Sequence, residues 1–349
     1  MPQRDRSTPD SFIPVLCCFV LSGAAGLIYQ TAWTDELSLA FGTSELAVAA
    51  VLAAYMAGLM AGAWTIERLL SRVRRPLRTY AWLEVGIAAT ALLVPVGIAA
   101  AQRLQVALFS QPEMGGIGAS SAFFYLAVSF AVLLPPVALM GATLPLLILH
   151  SVRSDEDVAR RTGLLYGANT VGAAVGALVT AFVILPALGL EPTVWIAVAL
   201  NLLVAAIALF GIRGGATALA APKAAPANAR STELGGRRFV LPVMLLSGAV
   251  AFGWEILWTR LLGHLLGGSI YAFGLMLGVF LIGLAAGSAL TSRLSPKSSA
   301  ATAEWFAVTQ LGVALCSWLA FLGAEEEGGG EEREAGRRRR GGEAFRRPG

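Results

Sequence analysis

The sequence predicts an all-α protein, a polytopic membrane helix bundle of about nine transmembrane helices with a parallel internal repeat. The first observation is composition: of the 349 residues, 56% are apolar and 14% are charged, whereas about 25% of the residues in soluble domains are charged. The second is the recurrence of apolar runs of about 20 residues, the length that crosses roughly 30 Å of hydrocarbon. The third is a duplication.

A block of the chain occurs twice. Residues 21–63 align with residues 246–288 at a constant offset of 225 without a gap, and 15 of the 43 pairs are identical. Each copy contains two apolar runs, so the repeated unit is a pair of membrane helices, the usual build of secondary transporters. The identities that apolar bias alone does not produce are Ser22-Gly23-Ala24 with Ser247-Gly248-Ala249, Trp33-Thr34 with Trp258-Thr259, Gly42 with Gly267, and Gly58 and Gly62 with Gly283 and Gly287.

Six apolar runs form a predicted first bundle, residues 12–212, and three more form a second, residues 239–323. The fourth and fifth runs are long and interrupted by Gly and Pro, so their ends are approximate. The predicted helices lie near 12–33, 44–65, 79–101, 121–149, 163–188, 192–212, 239–262, 269–290 and 301–323.

Three segments lack an apolar run of membrane length. Residues 1–11 are the predicted cytoplasmic N-terminus, and residues 213–238, rich in Ala, Pro and Gly, predict a flexible cytoplasmic linker between the bundles. Residues 324–349 contain seven Glu, seven Arg and seven Gly without apolar periodicity, which predicts disorder. This abrupt change of composition favours a truncated or frame-shifted end over a designed basic tail.

Lysine and arginine predict the orientation. With the N-terminus inside, the inside segments contain 17 of these residues and the outside loops contain two, Arg103 and Arg260. Positive charge accumulates on the cytoplasmic side, so the N-terminus is predicted to be cytoplasmic. Helices one and seven then both run outward, so the two copies are parallel, as in major-facilitator halves, here cut short after the ninth helix. The inside segments are 1–11, 66–78, 150–162, 213–238 and 291–300.

Polar side chains deep in an apolar run are the first candidates for a site, because each is costly in the membrane unless it is paired. Glu255 lies about 25 Å along helix seven, toward the outer leaflet, and its repeat partner is Gln30. A carboxylate in one half facing an amide in the other suits a cation or proton site between the halves. The alternative is that both lie in the interfacial zone and are hydrated or hydrogen-bonded.

Aromatic residues next to these two positions share a spacing of four residues, which places each pair on one helix face. They could enclose an amine cation, but we favour an interfacial aromatic belt. Asp35 in copy one corresponds to Arg260 in copy two, which would allow an ion pair at the outer face. The aromatic pairs are Tyr29 with Trp33 and Trp254 with Trp258.

Two further polar residues are candidates. Asn169, on the fifth helix, either hydrogen-bonds a neighbouring helix or lines a path, and we favour the hydrogen bond. Glu84, five residues into the predicted third helix, is expected to meet the arginines of loop 66–78.

No pattern in the sequence supports an enzyme by itself. It contains no glycine-rich nucleotide loop between a strand and a helix, no Cys or His metal spacing, and no nucleophile with a plausible base. We therefore predict no catalytic residue, no metal and no cofactor. Cys17, Cys18 and Cys316 lie in apolar runs, where a thiol acts as a small hydrophobe. Because Lys and Arg follow the membrane topology, the net charge of +4 does not indicate nucleic acid.

Four sequence motifs in order along the chain, and a fifth in the second copy, resemble the pattern of one protein family. They are Leu21–Gln30 with Trp33-Thr34, Met140–Pro145, Leu165–Ala173, Leu185–Leu190 and Ser247–Arg260. Over about residues 12–320 they resemble the membrane region of bacterial fused major-facilitator/spermidine-synthase proteins, in which a cytoplasmic aminopropyltransferase-like domain follows the helices. The resemblance implies a multi-pass protein of the bacterial cytoplasmic (inner) membrane.

Aminopropyl transfer is not expected from these residues. The family's catalytic domain needs an acidic Gly-rich motif after a strand and an Asp base, and the sequence has neither. Gln30 and Asp35 also stand where the family usually has Glu and Arg, which argues against titration in copy one. After helix two, the charges Glu67, Arg68 and Arg72 resemble the pairs that lock one gate state in major-facilitator proteins, with a purely topological role as the alternative.

Three functions remain open. The first is a transporter-like protein for a polyamine or a related small cation, with Glu255 and its aromatic neighbours as the binding site. The second is a non-transporting membrane anchor or partner module for a spermidine-synthase-type enzyme, and the third is a truncated gene product without activity. The expected partners are the lipid bilayer and either a small cationic substrate or a cytoplasmic aminopropyltransferase-like domain.

Overall fold

The computed structural model describes residues 12–41, 44–108, 119–152, 157–212, 227–266, 270–294 and 304–323. Within these ranges the secondary structure is helical, without a β-strand. Nine continuous spans in the described chain are long and apolar enough to cross a membrane. The chain is therefore an integral membrane protein, and the predicted number of spans is confirmed. The predicted N-terminal segment 1–11 and tail 324–349 lie outside the described residues.

Some spans contain two helices in succession: α3 and α4 form the third span, α5 and α6 the fourth, and α7 and α8 the fifth. The helices are α1 (Phe12–Phe41), α2 (Ser44–Leu69), α3 (Pro76–Ala91), α4 (Val94–Leu108), α5 (Ala119–Gly141), α6 (Thr143–Ser151), α7 (Asp157–Val179), α8 (Leu185–Leu188), α9 (Leu190–Ala206), α10 (Ala227–Leu266), α11 (Ile270–Leu294) and α12 (Glu304–Gly323).

Proline shapes the fifth span. Pro186 stands in α8, directly after the π-helical segment Thr180–Ile184 that joins α7 to α8. A proline has no N–H, and its ring crowds the carbonyl four residues earlier, so the regular hydrogen-bond pattern cannot continue there. The interruption predicted in this run is therefore a local widening of the helix rather than a break.

A single residue, Gly189, separates α8 from α9. Its φ is 81°, a conformation that glycine adopts without the steric cost of a side chain. Thr193 supports the turn by donating its hydroxyl to the Gly189 carbonyl at 2.6 Å. The fifth and sixth spans therefore reverse direction with almost no loop.

Helix α1 lies at the centre of the first six spans, in contact with α2, α7 and α9. Its approach to α7 is so close that a Cβ at Gly23 would meet the Asn169 backbone oxygen. Gly172 and Gly176 of α7 meet the α1 backbone in the same way. Small residues thus let the two backbones touch, which is a common basis of helix packing in membranes.

The two repeat copies differ in how their small-residue faces are covered. In copy one, a Cβ at Gly62 of α2 would overlap the Ala138 backbone of α5. In copy two, no described heavy atom lies within 4 Å of the same position at Gly283 or Gly287 of α11. The duplicated glycines therefore form a helix contact in copy one only, as far as the described residues extend.

Residue contacts divide the chain into two units, residues 1–289 and residues 290–349. Helix α10 and most of α11 thus group with the first six spans. Residues 213–226 of the predicted linker 213–238 lie outside the described residues. The rest of the predicted linker, residues 227–238, is helical, because α10 begins at Ala227. A helix extends readily from a formed span, since each added residue contributes a further hydrogen bond.

Candidate functional site

Glu84 is the most deeply buried acidic side chain in the described spans, with an exposed fraction of 0%. It lies on α3, about 12 Å from the start of the third span at 1.5 Å per residue. The expected contact with the arginines of loop 66–78 is wrong. The side chain points into the helix bundle, and no basic residue of the described chain is paired with it.

Two side chains from other helices hold the Glu84 carboxylate. Ser22 of α1 donates its hydroxyl to Oε1 at 2.7 Å, and Asn201 of α9 donates its amide Nδ2–H to Oε2. Hydrogen bonds to a charged acceptor are roughly twice as strong as those between neutral groups. One acidic side chain therefore ties together three helices that are distant in sequence.

The Glu84 site also contains polar atoms without a partner in the described chain. Tyr80, one turn before Glu84 on α3, is fully buried close to the carboxylate, yet its hydroxyl makes no well-formed hydrogen bond. The Oδ1 of Asn201 is likewise buried and receives no donor from a described residue. Most buried polar groups in native proteins are hydrogen-bonded, so the hydrogen-bonding capacity beside this carboxylate is not fully used by the described residues.

Sequence reasoning missed Ser22, Tyr80 and Asn201 as members of a site. Asn201 offered a usable signal, because it is a lone amide within an apolar run and such residues are rare in spans unless they have a role. Ser22 is one of the identities of the repeat. Neither signal indicates that these residues meet Glu84, since hydrophobic periodicity does not reveal which helix faces come together.

Residues 29–34 of α1 form the copy-one version of the duplicated polar and aromatic turn. This turn lies inside the bundle. Tyr29 and Trp33 are fully buried, and their rings stack with centroids 4.9 Å apart. Gln30 is buried as well, and Thr34 donates its hydroxyl to the Gln30 carbonyl at 2.7 Å. The aromatic belt expected for Tyr29 and Trp33 is wrong, because both rings are enclosed by protein.

Copy two repeats this local geometry on α10. Trp254 and Trp258 stack with centroids 6.2 Å apart, and Thr259 donates its hydroxyl to the Glu255 carbonyl at 2.7 Å. Glu255 is 4% exposed, whereas the two indole rings are half-buried. The duplication therefore preserves the ring stack and the threonine hydrogen bond, and it replaces a buried amide by a buried acid.

Apolar side chains surround the turn that contains Glu255. Phe252, Ile256 and Trp258 of α10 pack on a cluster that includes Leu52 of α2 and Phe273 of α11. No hydrogen-bond partner for the Glu255 carboxylate is found among the described residues, and burial is the main feature of its environment. A carboxylate in such surroundings is stabilised by any cation that reaches it.

The remaining intramembrane candidates do not join these sites. Asn169 is half-buried at the contact of α1 with α7 and faces Gly23, but it makes no hydrogen bond within the described chain. Asp35 is half-buried on α1 and Arg260 is exposed on α10. The ion pair considered for Asp35 and Arg260 is not formed between these two described residues.

Glu67 and Arg68 lie in the last turn of α2, Arg72 follows the helix, and all three side chains are exposed. The guanidinium carbon of Arg68 lies 3.4 Å from the ring centroid of Trp64, so this arginine stacks on an aromatic face. No ion pair joins Glu67 to Arg68 or Arg72 among the described residues. The charge pairs expected from the resemblance are therefore absent at these three positions.

The two sites offer acids, amides, hydroxyls and aromatic faces, a set of groups that can bind a cation by charge and by ring contact. Among the described residues, no group of three or more His, Cys, Asp or Glu side chains could hold a metal ion, and the three cysteines are free. No family model, curated protein or solved structure matches the chain.

Proposed function

We propose that the chain is a membrane protein of the secondary-transporter type that moves a small organic cation, a polyamine or a related amine, through the bilayer. The proposal rests on Glu255, a carboxylate that is buried in an apolar span without a described partner. A charge inside the hydrocarbon costs up to about 2.5–3.5 kcal/mol, the value at the helix centre on the most permissive scale. An ammonium group of a substrate would offset this cost by neutralising the acid.

The aromatic neighbours of Glu255 support an amine as the ligand. Trp254 and Trp258 stack beside the acid on α10 and remain half-buried. An indole face attracts a cation with about 0.5–2 kcal/mol, more when water is excluded. A carboxylate next to two indoles thus suits an amine on an alkyl chain better than a strongly hydrated inorganic ion.

The duplication supports transport rather than simple anchoring. Transporters are commonly built from internal repeats, with the substrate between them. Here the polar and aromatic turn is kept with the same ring stack and threonine bond in both copies. A membrane anchor does not require a duplicated polar and aromatic turn.

Uptake of labelled putrescine and spermidine into proteoliposomes tests the proposal. The purified chain is expected to accumulate at least one of the two amines, and Glu255→Gln is expected to lose uptake because it removes the negative charge while keeping the shape. Glu191→Gln is the matched control, since Glu191 is exposed at the start of α9 and uptake should be unchanged.

No uptake by a folded, monodisperse wild-type protein would overturn the transport proposal. It would favour the alternative, a non-transporting membrane anchor or partner module for an aminopropyltransferase-like domain. Equal uptake by wild type and Glu255→Gln would remove Glu255 from the site.

A further inference from the structure

The buried cluster around Glu84 contains oxygen atoms that its own hydrogen bonds leave available for a ligand. Ser22, Tyr80, Glu84 and Asn201 present five side-chain oxygens within the span region of α1, α3 and α9. Asn201 Oδ1 accepts no hydrogen bond from a described residue, and the Tyr80 hydroxyl lies close to the Glu84 carboxylate without a well-formed hydrogen bond. Both side chains are at least 99% buried. Oxygen-rich groups of this kind are the ligands of hard cations.

Charge balance favours a monovalent ion. Glu84 is the one acid of the cluster, and no basic side chain of the described chain is paired with it. A single positive charge would neutralise the carboxylate, whereas a divalent ion would leave a net charge in the apolar interior, where unpaired charge is very costly.

The amide of Asn201 is suited to two states. It now turns its NH2 toward the carboxylate, and its oxygen is left without a donor. A half-turn about the last side-chain bond would exchange these atoms, since an amide presents a donor on one side and an acceptor on the other. With a cation beside Glu84, the oxygen rather than the NH2 would face the ion.

We propose that Ser22, Tyr80, Glu84 and Asn201 form a binding site for Na⁺ inside the first six spans. Ser22 and Asn201 lie within hydrogen-bonding distance of the carboxylate, so ligand groups this close together suit a small ion better than K⁺. Ser22, Glu84 and Asn201 lie about 12–17 Å into their three spans, near the middle of the bilayer, where coupling ions of secondary transporters bind.

This site is independent of the amine site proposed at Glu255. It lies on other helices and needs no amine, and binding of Na⁺ can be measured without any transport step. A protein that binds Na⁺ and moves no amine, or the reverse, would separate the two proposals.

Thermal unfolding of the purified full chain in detergent tests the sodium site. Sodium chloride is exchanged for potassium or choline chloride at constant ionic strength, and unfolding is followed by tryptophan fluorescence. A ligand that binds only the folded state raises the unfolding temperature in a saturable way, so Na⁺ is expected to raise it while K⁺ and choline do not. Equilibrium dialysis with ²²Na⁺ should give one ion per chain.

Variants localise the site. Glu84→Gln is expected to abolish both the sodium-dependent shift and the ²²Na⁺ binding, and Glu191→Gln to keep both. Ser22→Ala retains the acid and should raise the half-saturating Na⁺ concentration by on the order of tenfold, the equivalent of about 1.4 kcal/mol. If Glu84→Gln does not fold, the Ser22→Ala variant tests the location of the sodium site.

Three results would overturn the proposal: equal unfolding temperatures in Na⁺, K⁺ and choline, no ²²Na⁺ bound by the wild type, or a sodium response in Glu84→Gln equal to that of the wild type. An unchanged half-saturating concentration in Ser22→Ala would also contradict it.

Discussion

At the scale of single residues, the chain buries two acids in its spans by different means. Glu84 is surrounded by polar side chains from α1 and α9, and its oxygens accept hydrogen bonds from Ser22 and Asn201. Glu255 has apolar neighbours and no described hydrogen-bond partner. The hydrogen bonds of Glu84 stabilise the fold as well as forming a candidate site. Burial of Glu255 brings no structural benefit in the described chain. We therefore assign the substrate to Glu255.

Ser22 allows a test of the structural part of this argument, because the repeat supplies its control. Ser22→Ala removes a donor to a buried carboxylate and is expected to destabilise the protein by about 1–2 kcal/mol. Ser247 is the equivalent residue in copy two and has no acid beside it in the described chain, so Ser247→Ala should cost much less. Unfolding of the purified variants in a sodium-free buffer measures both. Equal losses would contradict the assigned hydrogen bond.

At the scale of helices, the sequence predicted which segments cross the membrane but not how they pair. Each of the nine runs became a span because about 20 apolar residues have no favourable place outside the bilayer. The pairing of α1 with α7 depends on backbone contacts at Gly23, Gly172 and Gly176, which a hydropathy pattern does not specify. The start of α10 at Ala227 was also missed, since an Ala- and Gly-rich segment resembles a linker in composition.

For the candidate sites as well, the sequence predicted individual residues but not which helices bring them together. Glu255, Gln30 and their aromatic neighbours were identified from the repeat, because aligning the sequence with itself reveals duplicated positions. Glu84 was identified as a candidate charge expected to meet the arginines of loop 66–78, and its true neighbours were missed, since Asn201 is 117 residues away in sequence. Only the packing of α3 against α1 and α9 brings these groups together.

The duplicated glycines give a prediction at this scale. Gly62→Ala would place a methyl group on the Ala138 backbone, so α2 and α5 must separate, at a cost of roughly 1–3 kcal/mol. Gly287→Ala is the matched change in copy two and meets no described atom within 4 Å, so stability should stay the same or rise slightly. Thermal unfolding of the two variants checks this. A similar loss in both would mean that the Gly287 face is also covered.

At the scale of the whole molecule, the two proposed sites lie at different depths. Ser22 is ten residues into α1, about 15 Å along the span, and Gln30 is about 27 Å along the same helix. Glu84 and its partners therefore lie near the middle of their spans, while the duplicated turns lie nearer to the span ends at one membrane surface. If the charge distribution sets the orientation as predicted, that surface is the outer one, and an external amine would reach Glu255 before any group near Glu84.

This orientation is itself testable with single cysteines in a background where Cys17, Cys18 and Cys316 are replaced by Ser. Ser71 and Glu191 are both exposed, after α2 and at the start of α9, and nine spans with a cytoplasmic N-terminus place them on opposite sides. A membrane-impermeant maleimide added to intact cells should label Glu191→Cys and spare Ser71→Cys until the cells are opened. The unsubstituted background should remain unlabelled in both conditions. The reverse pattern would invert the protein and put Glu255 near the cytoplasm, and labelling of both positions in intact cells would contradict the span assignment between them.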